Sequence, residues 1–385
     1  MTRKNILWFV AVVLLVILLE IFFVLMIPSR HLTILSQIQE ILKEDQDLFW
    51  RQEAGLDSVF QGKFLKTNSL GLRNREIREQ KDPQTVRIVC LGASPTFGWG
   101  VESTDNYPYK VEKKLNKAEQ KFEVINAGQI GYSTFQGIAF FKKYLLSYQP
   151  DIVTVSYILN DIDRYRFYRN EGLTDKELSP GNFLGVTLRN FFLRRRLSFL
   201  FKRTVLSVAS LSDRFMMKSL KRQYNLAKVR VPLSEYELNL EKMVYICSTK
   251  KIKLIFMKMP VNLSLPKLND QELEYLKDNE NLSLYYYNQG CDYEKKEDYR
   301  AARQAFEKAR NCIAFDCQRE SFFYQKIMGD VARRNKLPLI DVALAFTVQR
   351  GDGRFFNGPS DPIHPSPKGH TLIAELLYDE IVKEL

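Results

Sequence analysis

The sequence predicts an α/β fold in which a doubly wound, central parallel sheet carries helices on both faces. Three observations predict it. Apolar runs of strand length recur five times. They are near-continuous rather than alternating, as in strands buried on both faces. Helical patterns fill the intervals between them, as parallel crossovers require. With 385 residues, 45% of them hydrophobic, the chain is long enough for one large domain or two smaller ones around a sizeable core.

Residues 1–28 come first. The run ILWFVAVVLLVILLEIFFVLMI, residues 6–27, is long enough to span roughly 30 Å of hydrocarbon as a helix, and Pro28 ends it. LMIPSRHL offers no small-residue cleavage site and no cysteine for lipid attachment, so an uncleaved signal anchor is expected. Arg3 and Lys4 precede the run and Arg30 follows it, which favours a cytoplasmic N-terminus and an extracytoplasmic remainder. Glu20 inside the run costs about 2.5–3.5 kcal/mol if central and charged; it suits the outer interface or a contact with a partner helix.

Residues 29–85 read as a helical or extended stalk and N-terminal extension, HLTILSQIQEILKEDQDLFW leading to KTNSLGLRNRE. The fold proper is expected from Val86, in a domain of residues 86–385. Its strands are read at 87–94, 122–128, 151–159, 253–259 and 337–343. Two helical insertions interrupt the pattern, at 162–235 and 268–330.

The formal net charge of +12 is concentrated in the first insertion, where residues 189–230 hold twelve Lys or Arg and one acid, Asp213. LRNFFLRRRLSFLFKR interleaves Phe and Leu with Arg. That pattern suits a helix resting on anionic headgroups, a cover over a cleft used by an acidic polymer, or a solvated face of the domain. Nucleic acid is not an expected partner outside the cytoplasm. In the second insertion Gly290, Tyr293, Ala302, Phe306 and Ala309 fall at the small and aromatic positions of one tetratricopeptide repeat. A single repeat cannot bury both faces alone, so it is expected to pack on the α/β domain or a protein partner.

Of five cysteines, Cys90 and Cys247 sit in apolar runs that suit a core. Two of Cys291, Cys312 and Cys317 are a possible disulfide pair with no connectivity readable from sequence, and they lack the spacing of a zinc site. No metal or cofactor is expected.

Ligands of doubly wound sheets bind at the carboxyl ends of the strands. Those ends carry Ser94 after the first strand, Gly131 after the second and Asn160 after the third. Singly, a serine or asparagine there suits a helix cap and a glycine a turn. The chain has only three histidines, His31, His364 and His370. His31 lies beside the apolar run, and His370 suits the start of a helix. His364 closes Asp361-Pro362-Ile363-His364, a base with a carboxylate beside it. Acyl transfer needs a nucleophile, a base, a group orienting the base, and donors for the developing oxyanion.

Gly92-Ala93-Ser94, Gly131, Ile158-Leu159-Asn160-Asp161 and Asp361-Pro362-Ile363-His364, in this order over residues 87–385, resemble the four blocks of the SGNH, or GDSL-type, hydrolases. The upstream TNSLGLR and the phrase NAGQIGYSTFQG add to the likeness, toward membrane-anchored bacterial members. The resemblance implies a flavodoxin-like three-layer sandwich. It implies Ser94 as nucleophile, His364 as base and Asp361 as its orienting acid, with the Ser94 and Gly131 amides and the Asn160 side chain as oxyanion donors. Ala93 stands where the family has aspartate and Ile158 where its third block has glycine.

The expected activity is a serine esterase acting on O-acyl, most simply acetyl, esters of a cell-envelope glycan or lipid, at the outer face of a bacterial cytoplasmic membrane. An O-acyltransferase in polysaccharide modification shares the first half-reaction. A non-catalytic membrane-anchored scaffold using the repeat-like hairpin is the third possibility.

Overall fold

The computed structural model describes residues 41–117, 121–163, 174–178, 229–261, 317–348, 355–358, 361 and 363–384, with scattered residues near the N-terminus and between 289 and 305. Two antiparallel hairpins come first, β1 (Leu42–Asp45) with β2 (Phe49–Gln52), and β3 (Asp57–Phe60) with β4 (Lys63–Lys66). A five-stranded parallel sheet follows: β5 (Thr85–Gly92), β6 (Lys121–Gly128), β7 (Ile152–Ser156), β8 (Lys253–Lys258) and β9 (Leu339–Asp341), in spatial order β6-β5-β7-β8-β9. Between and after these strands lie α1 (Ser94–Phe97), α2 (Tyr107–Leu115), α3 (Thr134–Phe140), α4 (Leu159–Ile162), α5 (Leu233–Thr249), α6 (Cys317–Arg334), α7 (Val342–Val348) and α8 (Pro367–Glu384).

The expected parallel sheet forms, and the alternation of its side chains makes three layers. Val89, Leu91, Val153, Val155, Leu254 and Phe256 face one core with α3, α5 and α6. Their neighbours Ile88, Cys90, Ile152, Ile255 and Met257 face a second core with α2, α7 and α8. Successive strand residues point to opposite faces, so a sheet covered on both sides needs apolar residues at every position, which is why the runs are continuous. Cys90 and Cys247 are free and buried in these cores. The order β6-β5-β7 means the chain leaves β5 in one direction and returns on its other side. The switch point of the sheet therefore lies at the carboxyl end of β5.

The stalk is a correction. Ile41, Leu42, Leu48, Phe49, Trp50, Phe60 and Leu65 are buried in the same core as the sheet, so residues 41–66 are part of the domain. Strands of four residues are too short to show a period. The two-residue turn Gln61-Gly62, with φ of +53° and +72°, also lacks the Asn-Gly signature of such turns. The third strand ends at Ser156 rather than 159, because Ile158, at φ −152° and ψ −67°, leaves extended geometry and leads into α4.

The apolar run at residues 6–27 lies outside the described residues except at Trp8, Val12 and Leu15, which are helical and exposed. Among the described residues no helix is long and apolar enough to cross a membrane. The basic stretch 189–228 and the repeat positions 290, 302, 306 and 309 also lie outside them, as do Cys291 and Cys312. Helix α6 begins within the range read as the second insertion, and it packs on α5 and β8 as the crossover to β9.

Candidate active site

Four segments meet above the carboxyl ends of β5, β6 and β7. The first is fixed by lack of space. A Cβ at Gly92 would lie 1.9 Å from Thr96 Oγ1 and 2.3 Å from Ser156 Oγ, so only glycine lets the chain turn there into α1. Ser94 is the first residue of that helix, with Pro95 behind it, and is buried. Thr96 Oγ1 links to Tyr107 Oη at 3.0 Å and to Ser156 Oγ at 2.9 Å, and the latter donates to the Leu91 carbonyl, which locks the turn onto β7. From the TNSLGLR stretch, Arg73 Nη1 donates to the Gly98 carbonyl at 2.6 Å and Nη2 to the Val101 carbonyl at 2.8 Å, holding the far end of the same loop. Burial lowers that guanidinium to about 10, against a smaller opposing effect of Glu102.

Ser94 and His364 are far apart in sequence and meet at 2.9 Å, Oγ to Nε2. His364 Nδ1 lies 2.9 and 3.0 Å from the two oxygens of Asp361. Asp361 Oδ1 also accepts from the Ile363 N–H at 3.1 Å and the His364 N–H at 2.8 Å, so the loop is wound around its own carboxylate. Burial alone would raise that carboxyl; the His364 ring's hydrogen bond and charge and the two backbone N–H groups outweigh it and hold the pKa below its ordinary value. An ionised carboxylate only accepts. The proton on the ring therefore sits on Nδ1, Nε2 presents a lone pair, and the Ser94 hydroxyl donates to it.

The indole of Trp99 stacks on the His364 ring, centroids 4.9 Å apart and planes 12° from parallel, and Phe60 meets that indole edge-on at 4.7 Å. Asn357 donates to the Trp99 carbonyl at 2.7 Å, and its own N–H donates to the His364 carbonyl at 2.9 Å. The imidazole is thus held along its edge by Asp361 and across its face by Trp99. The sequence reading missed Trp99; a tryptophan five residues past the serine in a chain with three tryptophans is the signal it carried.

Gly131 and Asn160 come to the same corner. Gly131 sits at φ +78°, in the left-handed region that favours glycine. Its loop is tied to the end of β5 by the Gln129 N–H, which donates to the Gly92 carbonyl at 3.0 Å. Among the described residues neither the Ser94 nor the Gly131 N–H donates to a protein acceptor. Asn160 is buried, and its amide nitrogen donates to the Tyr132 carbonyl at 2.9 Å. Ala93 and Ile158 are both buried, and Ile158 has negative φ, so no glycine is demanded at 158. His370 is separate: buried in α8, its Nδ1 accepts from the Tyr107 N–H at 3.2 Å, and burial, then Lys110, Arg73 and His364, lower it to about 3.

Asp161, next to Asn160, is fully buried; Oδ1 accepts from the Thr134 N–H at 2.8 Å and from the Thr134 hydroxyl, and Oδ2 has no partner among the described residues. Burial pushes its carboxyl up to about 7, against the Thr134 hydrogen bonds and Arg230. A carboxyl raised on folding holds a proton that the unfolded chain has released. Its contribution to stability is therefore complete below about pH 4 and disappears as pH rises to about 7. Relative to Asp161→Asn, the wild-type protein is expected to lose up to about 1.4 kcal/mol of unfolding free energy per pH unit across that window. Urea denaturation at several pH values measures this, and parallel curves for the two proteins would refute it.

No family model and no curated relative matches the chain. Among solved structures it is similar to a lipase/acylhydrolase from Enterococcus faecalis, at 18% identity and a TM-score of 0.43, over 78% of this chain and 97% of that one. An acetylxylan esterase from Geobacillus stearothermophilus matches at 15% identity and 0.42, over 77% and 94%. A GDSL-like lipase from Bacteroides thetaiotaomicron matches at 13% and 0.39, over 78% and 89%. At this level of likeness the chemistry of the site rests on its own residues.

Proposed function

We propose that the chain is a serine ester hydrolase of the SGNH type. The observation that carries this reading is the unbroken relay from Ser94 Oγ to His364 Nε2 at 2.9 Å and from His364 Nδ1 to Asp361 at 2.9 Å, at the switch point of the sheet. In the reaction, His364 Nε2 takes the Ser94 proton as Oγ attacks the ester carbonyl. The tetrahedral oxyanion is met by the Ser94 and Gly131 N–H groups and the Asn160 amide. Collapse passes the proton from His364 to the leaving alcohol and leaves an acyl-enzyme on Ser94, which water, activated by the same imidazole, hydrolyses. Asp361 stays ionised and stabilises the imidazolium that forms twice in the cycle.

The substrate proposed is an O-acetyl or short O-acyl ester on a cell-envelope glycan or lipid, reached from the outer face of a cytoplasmic membrane in which residues 6–27 anchor the chain. Length and apolarity of that run support the anchor. A fluorophosphonate probe is expected to label Ser94, identified by mass spectrometry of the proteolysed protein. The heat-unfolded chain should stay unlabelled, since a serine without its imidazole is a poor nucleophile. A folded protein that resists the probe would favour the scaffold. Acetyl release to water is expected to exceed acetyl transfer to an added oligosaccharide; the reverse ratio would make the protein an acyltransferase.

A further inference from the structure

Three successive carbonyls of the loop after β6 are each gripped by a buried donor from a different part of the chain. Trp50 Nε1 donates to the Ile130 carbonyl at 2.8 Å, Arg230 Nη1 to the Gly131 carbonyl at 2.7 Å, and Asn160 Nδ2 to the Tyr132 carbonyl at 2.9 Å. Trp50 and Arg230 are each 1% exposed. The first grip bears on the peptide joining Ile130 to Gly131. In a trans peptide the C=O and N–H are coplanar and point in opposite directions. Fixing the Ile130 oxygen therefore fixes the direction of the Gly131 N–H, and holding the Gly131 oxygen fixes the next peptide plane.

Both grips are themselves braced. Tyr132 Oη donates to the Trp50 carbonyl at 2.6 Å, Gln52 Nε2 to the Gly128 carbonyl at 3.2 Å, and Gln136 Nε2 to the Leu48 carbonyl at 2.6 Å, so β2 and the residue before it are stitched to the end of β6, the loop and the start of α3. Arg230 lies over the Trp50 ring at 5.5 Å; its Nε and Nη2 reach Asp175 at 3.0 and 2.8 Å, and Ser133 donates to the same carboxylate at 2.6 Å. Trp50 belongs to the N-terminal hairpin and Arg230 to the returning end of the basic insertion. Two segments that look peripheral in sequence thus close on two adjacent peptides of the site, one on each side of Gly131.

We propose that Trp50 and Arg230 are positioning residues for the oxyanion hole: they hold the carbonyls on either side of the Gly131 backbone and so aim its N–H at the tetrahedral oxyanion. The role rests on the hydrolase reading above. Neither side chain is proposed to touch substrate. An oxyanion donor acts only in the transition state, so a mis-aimed one lowers kcat and leaves KM unchanged.

The test is Trp50→Phe, which keeps an aromatic ring and removes the donor, with Arg230→Lys as a second variant that keeps the charge facing Asp175. Each is assayed on p-nitrophenyl acetate, with rates normalised to the fraction of protein titrated by fluorophosphonate, so that misfolded chains do not count. The expected result is a fall in kcat of about tenfold per titrated site, less than the roughly 10²–10³ of losing a donor outright, with KM within about twofold. Inhibition by phenylboronic acid, a tetrahedral anion on serine, should weaken by the same factor as kcat/KM. Unchanged kcat per titrated site in both variants overturns the role alone, as does a fall in kcat with full boronate affinity. Wild-type protein that turns over no ester, or Ser94→Ala protein as fast as wild type, overturns the hydrolase reading and this role with it.

Discussion

Ser94→Ala is expected to lower kcat on short acyl esters by about four to six orders of magnitude, the range seen when a member of such a triad is removed. The alanine enzyme retains His364, Asp361 and the backbone N–H groups, so a residual rate, from water attacking a carbonyl polarised in the oxyanion hole, remains above the uncatalysed one. No acyl-enzyme can form on it, and the burst of alcohol release that precedes the steady state should vanish with the rate. The fold should survive, because the change deletes a single hydroxyl. Its hydrogen bond to His364 is a partly buried one, worth about 1 kcal/mol net. Rapid-mixing kinetics on p-nitrophenyl acetate, with circular dichroism to verify the fold, measures both. Wild-type turnover in the alanine enzyme would sink the proposed nucleophile.

The strands were legible because burial on both faces writes itself into adjacent residues. The run IVCLG of β5 is apolar at every step, and its alternate members go to opposite cores. Ser94, Gly131 and Asn160 were legible for a related reason: each lies within four residues of the end of such a run, where doubly wound sheets place their chemistry. His364 was legible through scarcity and the carboxylate three residues before it. What escaped the sequence depends on contacts between distant segments. Trp50 meets the carbonyl of Ile130, 80 residues on, and Arg230 that of Gly131, 99 residues back. No local pattern encodes either, and a hairpin of two four-residue strands gives periodicity too little length to work on. Residues 41–66, read as part of a stalk, carry apolar side chains that the sheet's own core covers. Trp99 escaped because a stack on His364 needs the last loop and the first loop to be folded together.

Asp361→Asn is expected to lower kcat about 10³- to 10⁴-fold, a loss out of proportion to the loss of one charge beside one ring. Oδ1 of this residue accepts from the N–H groups of Ile363 and His364 and lies 2.9 Å from His364 Nδ1; an asparagine keeps its oxygen there, already shared by two backbone donors, and puts its NH₂ in the place of Oδ2, 3.0 Å from the same Nδ1. Facing a donor, Nδ1 becomes the acceptor and the ring proton moves to Nε2, the atom that must receive the Ser94 proton. The loop would keep its shape and the base would be in the wrong tautomer. The negative charge that stabilises imidazolium would be gone as well. The same carboxyl, held below its ordinary pKa, contributes stability that is present above the unfolded value and lost as pH falls through the folded one, so the variant should also resist acid slightly better relative to its own stability at neutral pH. Proton NMR of the ring separates the two causes: the Nδ1–H resonance of the wild-type protein should disappear in the variant. A variant that keeps that resonance and loses less than about tenfold in kcat would mean that Asp361 winds the loop without orienting the base.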